Sequence, residues 1–177
     1  IDPTSKDARI QLCSVLIASD YLKEAEDELN KLQKQVANDA SVDYVGYKLY
    51  LKRGQLAKAR QQLDAAMKLE PANGQWLVDM SELCEMQGDY ATANVCLQKA
   101  LQADPLSVEK LNKMAILQEY FLQNYALANA QYKKILEIDP DSVTALAGVD
   151  RCKTRSNDLA GMLKAQIRAF VAGVMKL

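Results

Sequence analysis

Histidine is absent from this 177-residue chain. That removes imidazole-ligated metal centres and every catalytic dyad or triad built on a histidine base. An excess of one charge is also missing: 22 Lys and Arg face 23 Asp and Glu, a formal net charge of -1. The chain therefore has no basic surplus of the kind that carries general binding to nucleic acid or anionic membranes. No uninterrupted apolar run approaches the roughly 18–20 residues that cross a bilayer. No glycine-rich phosphate loop occurs, since "LKRG" and "EMQGD" read as turns, and no cofactor-binding motif is present. The four cysteines, Cys13, Cys84, Cys96 and Cys152, form no C-x-x-C pair and match no zinc spacing. They are expected as reduced, buried thiols acting as small core hydrophobes, which favours a cytoplasmic location. Apolar material is plentiful: 49% of the residues are hydrophobic, enough to bury a core and to exclude wholesale disorder.

Glycine and proline are scarce, seven and four residues, and their positions carry a period. Pro71, Pro105 and Pro140 are separated by 34 and then 35 residues, and Gly54 and Gly88 by 34. The same step brings Ala25, Ala59, Ala93 and, with one extra residue, Ala128 onto one position. It brings Leu29, Leu63, Leu97 and Tyr132 onto a second, and Leu32, Ala66, Ala100 and Ile135 onto a third. Such a period marks stacked repeats, in which one unit cannot bury its apolar face alone but neighbours can. Within the units apolar residues recur at helical spacing with charges between them, as in "AEDELNKLQKQV" and "ARQQLDAAMKL". The alanines are small where helix backbones approach. The glycines suit chain-reversing turns, and each of these prolines closes one unit and opens the next. The extra residue of the fourth unit is expected in the turn near Phe121–Asn124.

With "GDYATA" at Gly88–Ala93 as its clearest turn, the pattern resembles the tetratricopeptide repeat family over residues 4–155. The resemblance implies an all-α fold, a right-handed α-α superhelical solenoid of helix-turn-helix repeats with a C-terminal capping helix. One domain, 1–177, would hold repeats at about 6–39, 40–73, 74–107 and 108–142, a partial fifth unit at 143–155 and a C-terminal helix at 156–177. Ser156 and Asn157 would cap that last helix. Its apolar stripe would hold Leu159, Met162, Leu163 and Ile167, and then Phe170, Val171, Val174, Met175 and Leu177. Arg168 and Lys176, with Lys164, are too few for a membrane-binding face. Repeat one departs from the pattern, with Asp20 for Gly and Ala37 for Pro, so its turns should be looser. Gly46, inside a helix, would pack against a large neighbour such as Trp76. The opening "IDPTSKDA", with Pro3, matches "IDPDSVTA" at 138–145, as if further repeats preceded it; a natural start with a short lead-in is the alternative.

The resemblance also implies a concave groove lined by the first helix of each unit, taking a protein or peptide partner. By register its members are Tyr44, Lys48, Leu51 and Lys52 in unit two, then Val78, Asp79, Glu82 and Met86 in unit three. Unit four offers Asn112, Lys113, Ile116, Glu119 and Tyr120, and unit five Arg151 and Arg155. Exposed charges in such a row are ordinarily solvated, so Tyr44, Leu51, Met86 and Tyr120 are the stronger anchors. A chaperone-tail clamp is disfavoured, because Asp7, Asp79 and Glu109 stand where that subclass needs carboxylate-binding groups. The function expected is a non-catalytic interaction scaffold without metal or cofactor, binding neither nucleic acid nor membrane. The alternatives are self-association into a homo-oligomer through the C-terminal helix or repeat faces, and an accessory role in a larger multidomain protein.

Overall fold

Each helix begins and ends where a local signal recurs. In the computed structural model, which describes residues 5–174, the chain forms α1 (Lys6–Ala18), α2 (Leu22–Gln35), α3 (Ala40–Lys52), α4 (Leu56–Leu69) and α5 (Gly74–Met86). Then follow α6 (Tyr90–Ala103), α7 (Val108–Ile116), a π-helical turn (Leu117–Phe121), α8 (Tyr125–Ile138) and α9 (Val143–Val174). The fold is all-α, with no strand among the described residues. Ser5, Asp39, Asn73 and Ser107 cap α1, α3, α5 and α7, their side-chain oxygens accepting backbone N–H groups of the first turn. These four short polar residues satisfy helix-end donors that would otherwise lack partners. They stand at the same 34-residue step as the alanines.

The helices end as regularly. α4, α6 and α8 each stop two residues before Pro71, Pro105 and Pro140, because a proline disfavours the helical region for the residue ahead of it. Turns inside the pairs close by one hydrogen bond. The amides of Tyr21, Gln55 and Asp89 donate to the carbonyls of Leu16, Tyr50 and Cys84 at 2.9, 2.9 and 2.8 Å. The residue before each donor is left-handed: Asp20 (φ 65°), Gly54 (φ 69°) and Gly88 (φ 77°). This is the Schellman closure. Asp20 therefore makes the same tight turn as glycine, not the looser one its side chain suggested. The end of α2, which lacks a proline, departs from the others: Asn38 is left-handed (φ 57°), whereas the turns after α4, α6 and α8 close by bonds of 3.3, 3.4 and 3.2 Å from the amides of Asn73, Ser107 and Ser142 to the carbonyls of Glu70, Asp104 and Asp139.

By packing, the chain divides into two units, Ile1–Asp89 and Tyr90–Leu177. In the first, α1 packs on α2, α3 on α4, and α4 on α5. Its core includes Cys13, Ala25, Leu29, Leu32, Val45 and Leu49. The closest neighbour of Gly46 is Gln62, where the sequence suggested Trp76. A Cβ on Gly46 would lie 2.5 Å from the Gln62 side-chain oxygen, so the close approach is to α4. In the second unit α7 packs on α8 and α8 on α9, around Leu111, Ala115, Ala128, Tyr132, Ala145 and Val149. All four cysteines are buried.

Two features of the second unit differ from the sequence expectation. The extra residue lies in the helix, not the turn. Leu122 donates to Leu117, five residues back, and Asn124 reaches back six residues to Gln118 at 2.7 Å. A π turn is the way a helix takes in one surplus residue, and the left-handed position then falls on Gln123 (φ 52°). Next, no break or cap occurs at Ser156 and Asn157: α9 runs through them to Val174. Neither Gly nor Pro occurs between 149 and 160, and Ser and Asn cost a helix interior only tenths of a kcal/mol. Every described side chain from Ser156 to Ile167 is exposed, including Leu159, Met162 and Leu163. The face a capping helix would bury is thus open over this stretch. Phe170, Val171, Val174, Met175 and Leu177 lie outside the described side chains, as do Pro3, Arg168 and Lys176.

Left-handed backbone costs a side-chain-bearing residue about 1 kcal/mol. Gln123→Gly should therefore stabilise the chain by about 1 kcal/mol and Gly88→Ala should destabilise it by a similar amount. Urea unfolding with an unchanged slope checks both.

Candidate functional site

In the first unit α3 and α5 bring three of the expected residues together. Tyr44 and Lys48 stand one turn apart on α3, and Lys48 Nζ lies 4.5 Å from the Tyr44 ring centroid. The ring stacks between Tyr47 at 5.6 Å and Trp76 at 5.3 Å. The Tyr44 hydroxyl donates to Asp79 Oδ2 at 2.6 Å, and the Gln75 amide donates to Asp79 Oδ1 at 3.0 Å. Asp79 is buried; its carboxylate holds α3 to α5 instead of offering a free acid to a ligand. Burial, and then the bond to Asp79, push the Tyr44 phenol above its ordinary range. Leu51 and Lys52 lie further along α3, and the exposed Glu82 and Met86 further along α5, at helical spacing from the cluster. Val78, expected in the same row, is buried.

In the second unit Asn112 and Ile116 of α7, Tyr120 of the π turn and Arg151 of α9 line one concavity of about 360 Å³. Tyr132 of α8 also reaches it, and Val143, Thr144 and Ala147 supply the α9 side. α9 comes close to α8 because Gly148 leaves room for the Tyr132 ring, where a Cβ would stand 2.5 Å from it. Lys113, also expected in this row, is not among the lining residues and faces Glu109 at 3.5 Å.

Glu119 corrects the sequence reading most. Helical spacing put it outward with Ile116 and Tyr120. The wider π turn instead buries Leu117, Gln118 and Glu119 in succession, leaving Glu119 with no exposed surface. A buried carboxylate needs partners, and it has them. Arg151 donates through Nε to Oε1 at 2.8 Å and through Nη2 to Oε2 at 3.0 Å. The Tyr132 hydroxyl donates to Oε2 at 2.9 Å. Arg155 Nη1 stands 3.8 Å from Oε1, an ion pair without a hydrogen bond. Both guanidinium groups lie over the Tyr120 ring, at 5.8 and 5.1 Å, and Arg155 also over Tyr125 at 5.7 Å. Burial alone would raise the Glu119 carboxyl, but bonds from Arg151 and Tyr132 and the charges of both arginines hold it below its ordinary value. Tyr132 was legible only as a large residue at the helix crossing; nothing in its spacing announced the hydroxyl contact.

A repeated antiparallel helix pair, closed by a Schellman turn and crossing at alanine, defines a helical-repeat protein of the solenoid class. The chain belongs to the tetratricopeptide repeat family. The family model, described as tetratricopeptide repeat, matches residues 50–113. A Parabacteroides merdae tetratricopeptide repeat protein superposes with a TM-score of 0.77 at 22% identity, covering 86% of this chain and 60% of that one. MamA does so with a TM-score of 0.74 at 14% identity, covering 90% and 86%. At these identities the likeness is one of fold. In sequence, superkiller complex protein 3 of Homo sapiens is 34% identical over 103 residues, covering 58% of this chain and 6% of that protein. The Mus musculus protein is 33% identical over 121 residues, covering 68% and 8%. The chain thus spans less than a tenth of the length of these curated relatives. No helix among the described residues is long and apolar enough to cross a membrane.

The Glu119 cluster has a pH signature. A carboxyl whose pKa is depressed on folding adds stability above its unfolded value, and that stability is lost as pH falls through the folded one. Glu119→Gln should cost about 2 kcal/mol near pH 6, the discount from a fully buried pair reflecting the partial hydration of Arg151. The gap to the unsubstituted chain should shrink as pH falls below about 4.5. Urea unfolding between pH 6 and pH 3 measures it.

Proposed function

We propose that this chain is a non-catalytic protein–protein interaction scaffold, organised as one array with the repeat bounds given above. The observation that carries the reading is the clustering in the second unit, where Asn112, Ile116, Tyr120 and Arg151, chosen by repeat register, line one concavity. The surface proposed for a partner peptide or helix has two parts. In the first unit it comprises Tyr44, Lys48, Leu51, Lys52, Asp79, Glu82 and Met86. In the second it comprises Asn112, Lys113, Ile116, Tyr120, Arg151 and Arg155. Asp79 acts there by positioning Tyr44. Support comes from the repeat fold, commonly an interaction fold, and from relatives whose name places them in a complex. The cytoplasm is the proposed location, in keeping with four cysteines buried as small core residues. Replacing Tyr44, Lys48, Glu82 and Tyr120 by Ala should weaken a captured partner's binding about a hundredfold or more, since aromatic anchors dominate such interfaces. Isothermal titration checks it, and unchanged affinity rejects the surface.

A second reading has its own observation. Leu159, Met162, Leu163 and Ile167 are 51–62% exposed along α9, a stripe suited to helix pairing between copies. Light scattering on the 177-residue chain and on a version ending at Arg155 separates the two readings. A homo-oligomer that becomes a clean monomer on truncation favours self-association; a monomer in both forms rejects it.

A further inference from the structure

The second unit's concavity combines apolar walls with an unbalanced charge. Ile116, Val143 and Ala147 line it beside the Tyr120 ring, and its volume of about 360 Å³ sits at the small end of ligand pockets. That is room for side chains, not for an extended cofactor. Over its Tyr120 wall lie two guanidinium groups, Arg151 and Arg155, which face one buried carboxylate. Glu119 is saturated by Arg151 and Tyr132, so Glu119, Arg151 and Arg155 together retain one net positive charge. Arg155 holds that surplus. It stands beyond hydrogen-bond distance of Glu119, over the faces of Tyr120 and Tyr125. Asp150, an acid on the same helix, faces Lys153 at 3.9 Å instead.

We infer that this pocket selects peptides carrying a large apolar residue next to an acidic one. The apolar side chain enters between Ile116 and Ala147, and the carboxylate meets Arg155. A guanidinium held flat on aromatic rings keeps its edge donors for such a group. Arg151 is a positioning residue: its fork is spent on Glu119, which fixes the wall on which Arg155 rests. The inference rests on the peptide-binding function proposed above and names the ligand chemistry of that surface.

A random peptide library displayed on phage, selected against the 177-residue chain, tests it. The enriched sequences should place Asp or Glu within two residues of Leu, Ile, Met or Phe. A fluorescent peptide of the consensus should bind about fivefold more tightly than its Asn or Gln counterpart, the size of one partly exposed ion pair. Arg155→Gln should abolish that difference, and Ile116→Ser should weaken both peptides together. Both variants should melt by circular dichroism within a few degrees of the unsubstituted chain. Failure to enrich any peptide overturns the peptide-binding function and this inference together. A consensus without an acid, or an acid preference that survives Arg155→Gln in a folded chain, overturns the inference alone.

Discussion

Two helix backbones pack closely only where the side chain at their crossing is small, and that constraint orders this structure. Ala25, Ala59, Ala93 and Ala128 have no exposed surface. One turn later Leu29, Leu63, Leu97 and Tyr132 fill the space the crossing creates, at 0–1% exposure. Another turn along, Leu32, Ala66, Ala100 and Ile135 complete the contact, again at 0–1%. Burying a side chain of leucine size contributes roughly 2 kcal/mol, but only if a neighbour lies near enough to cover it. The alanine thus sets the distance, and the larger residues gain from it. Caps and prolines then fix where each helix starts and stops, so that the crossing recurs at the same place in the chain.

Because these determinants are local and periodic, most of the fold was legible in the residues. Pro71, Pro105 and Pro140 marked the helix ends, and the alanine positions marked the crossings. The caps Ser5, Asp39, Asn73 and Ser107 carried the same step and could have been found by it. Misreadings came where residue type was taken as conformation. Asp20 and Gln123 adopt the glycine backbone, since the Schellman bond and the packed helices around it outweigh the cost of a left-handed residue. Ser156 and Asn157 are good caps that stay helical, because nothing else nearby stops the chain.

The candidate site was less legible, for a related reason. Periodic spacing finds residues that share a face only while the helix is regular. One surplus residue is absorbed as a π turn at Leu117–Phe121, and from there the face rotates. Ile116 and Tyr120 still meet Arg151 across the concavity, as the register implied. Glu119 turns inward and becomes the anchor for Tyr132 and Arg151. The departure from the repeat is also where a buried charge, an aromatic ring and two arginines converge. In the regular first unit Asp79 is drawn into a similar internal duty by Tyr44, which acidic composition alone does not reveal.

The central claim is that the alanine crossing holds α7 to α8, as it holds α1 to α2 and α3 to α4. Amide hydrogen exchange on Ala128→Leu tests it most directly. Overpacking a close crossing costs about 1–3 kcal/mol, so exchange should accelerate roughly tenfold or more in α7, α8 and the first half of α9. Exchange in α1–α3, which have their own core, should be unchanged. Unaltered protection across residues 108–152 would contradict the account, because it would mean that the crossing tolerates a large side chain.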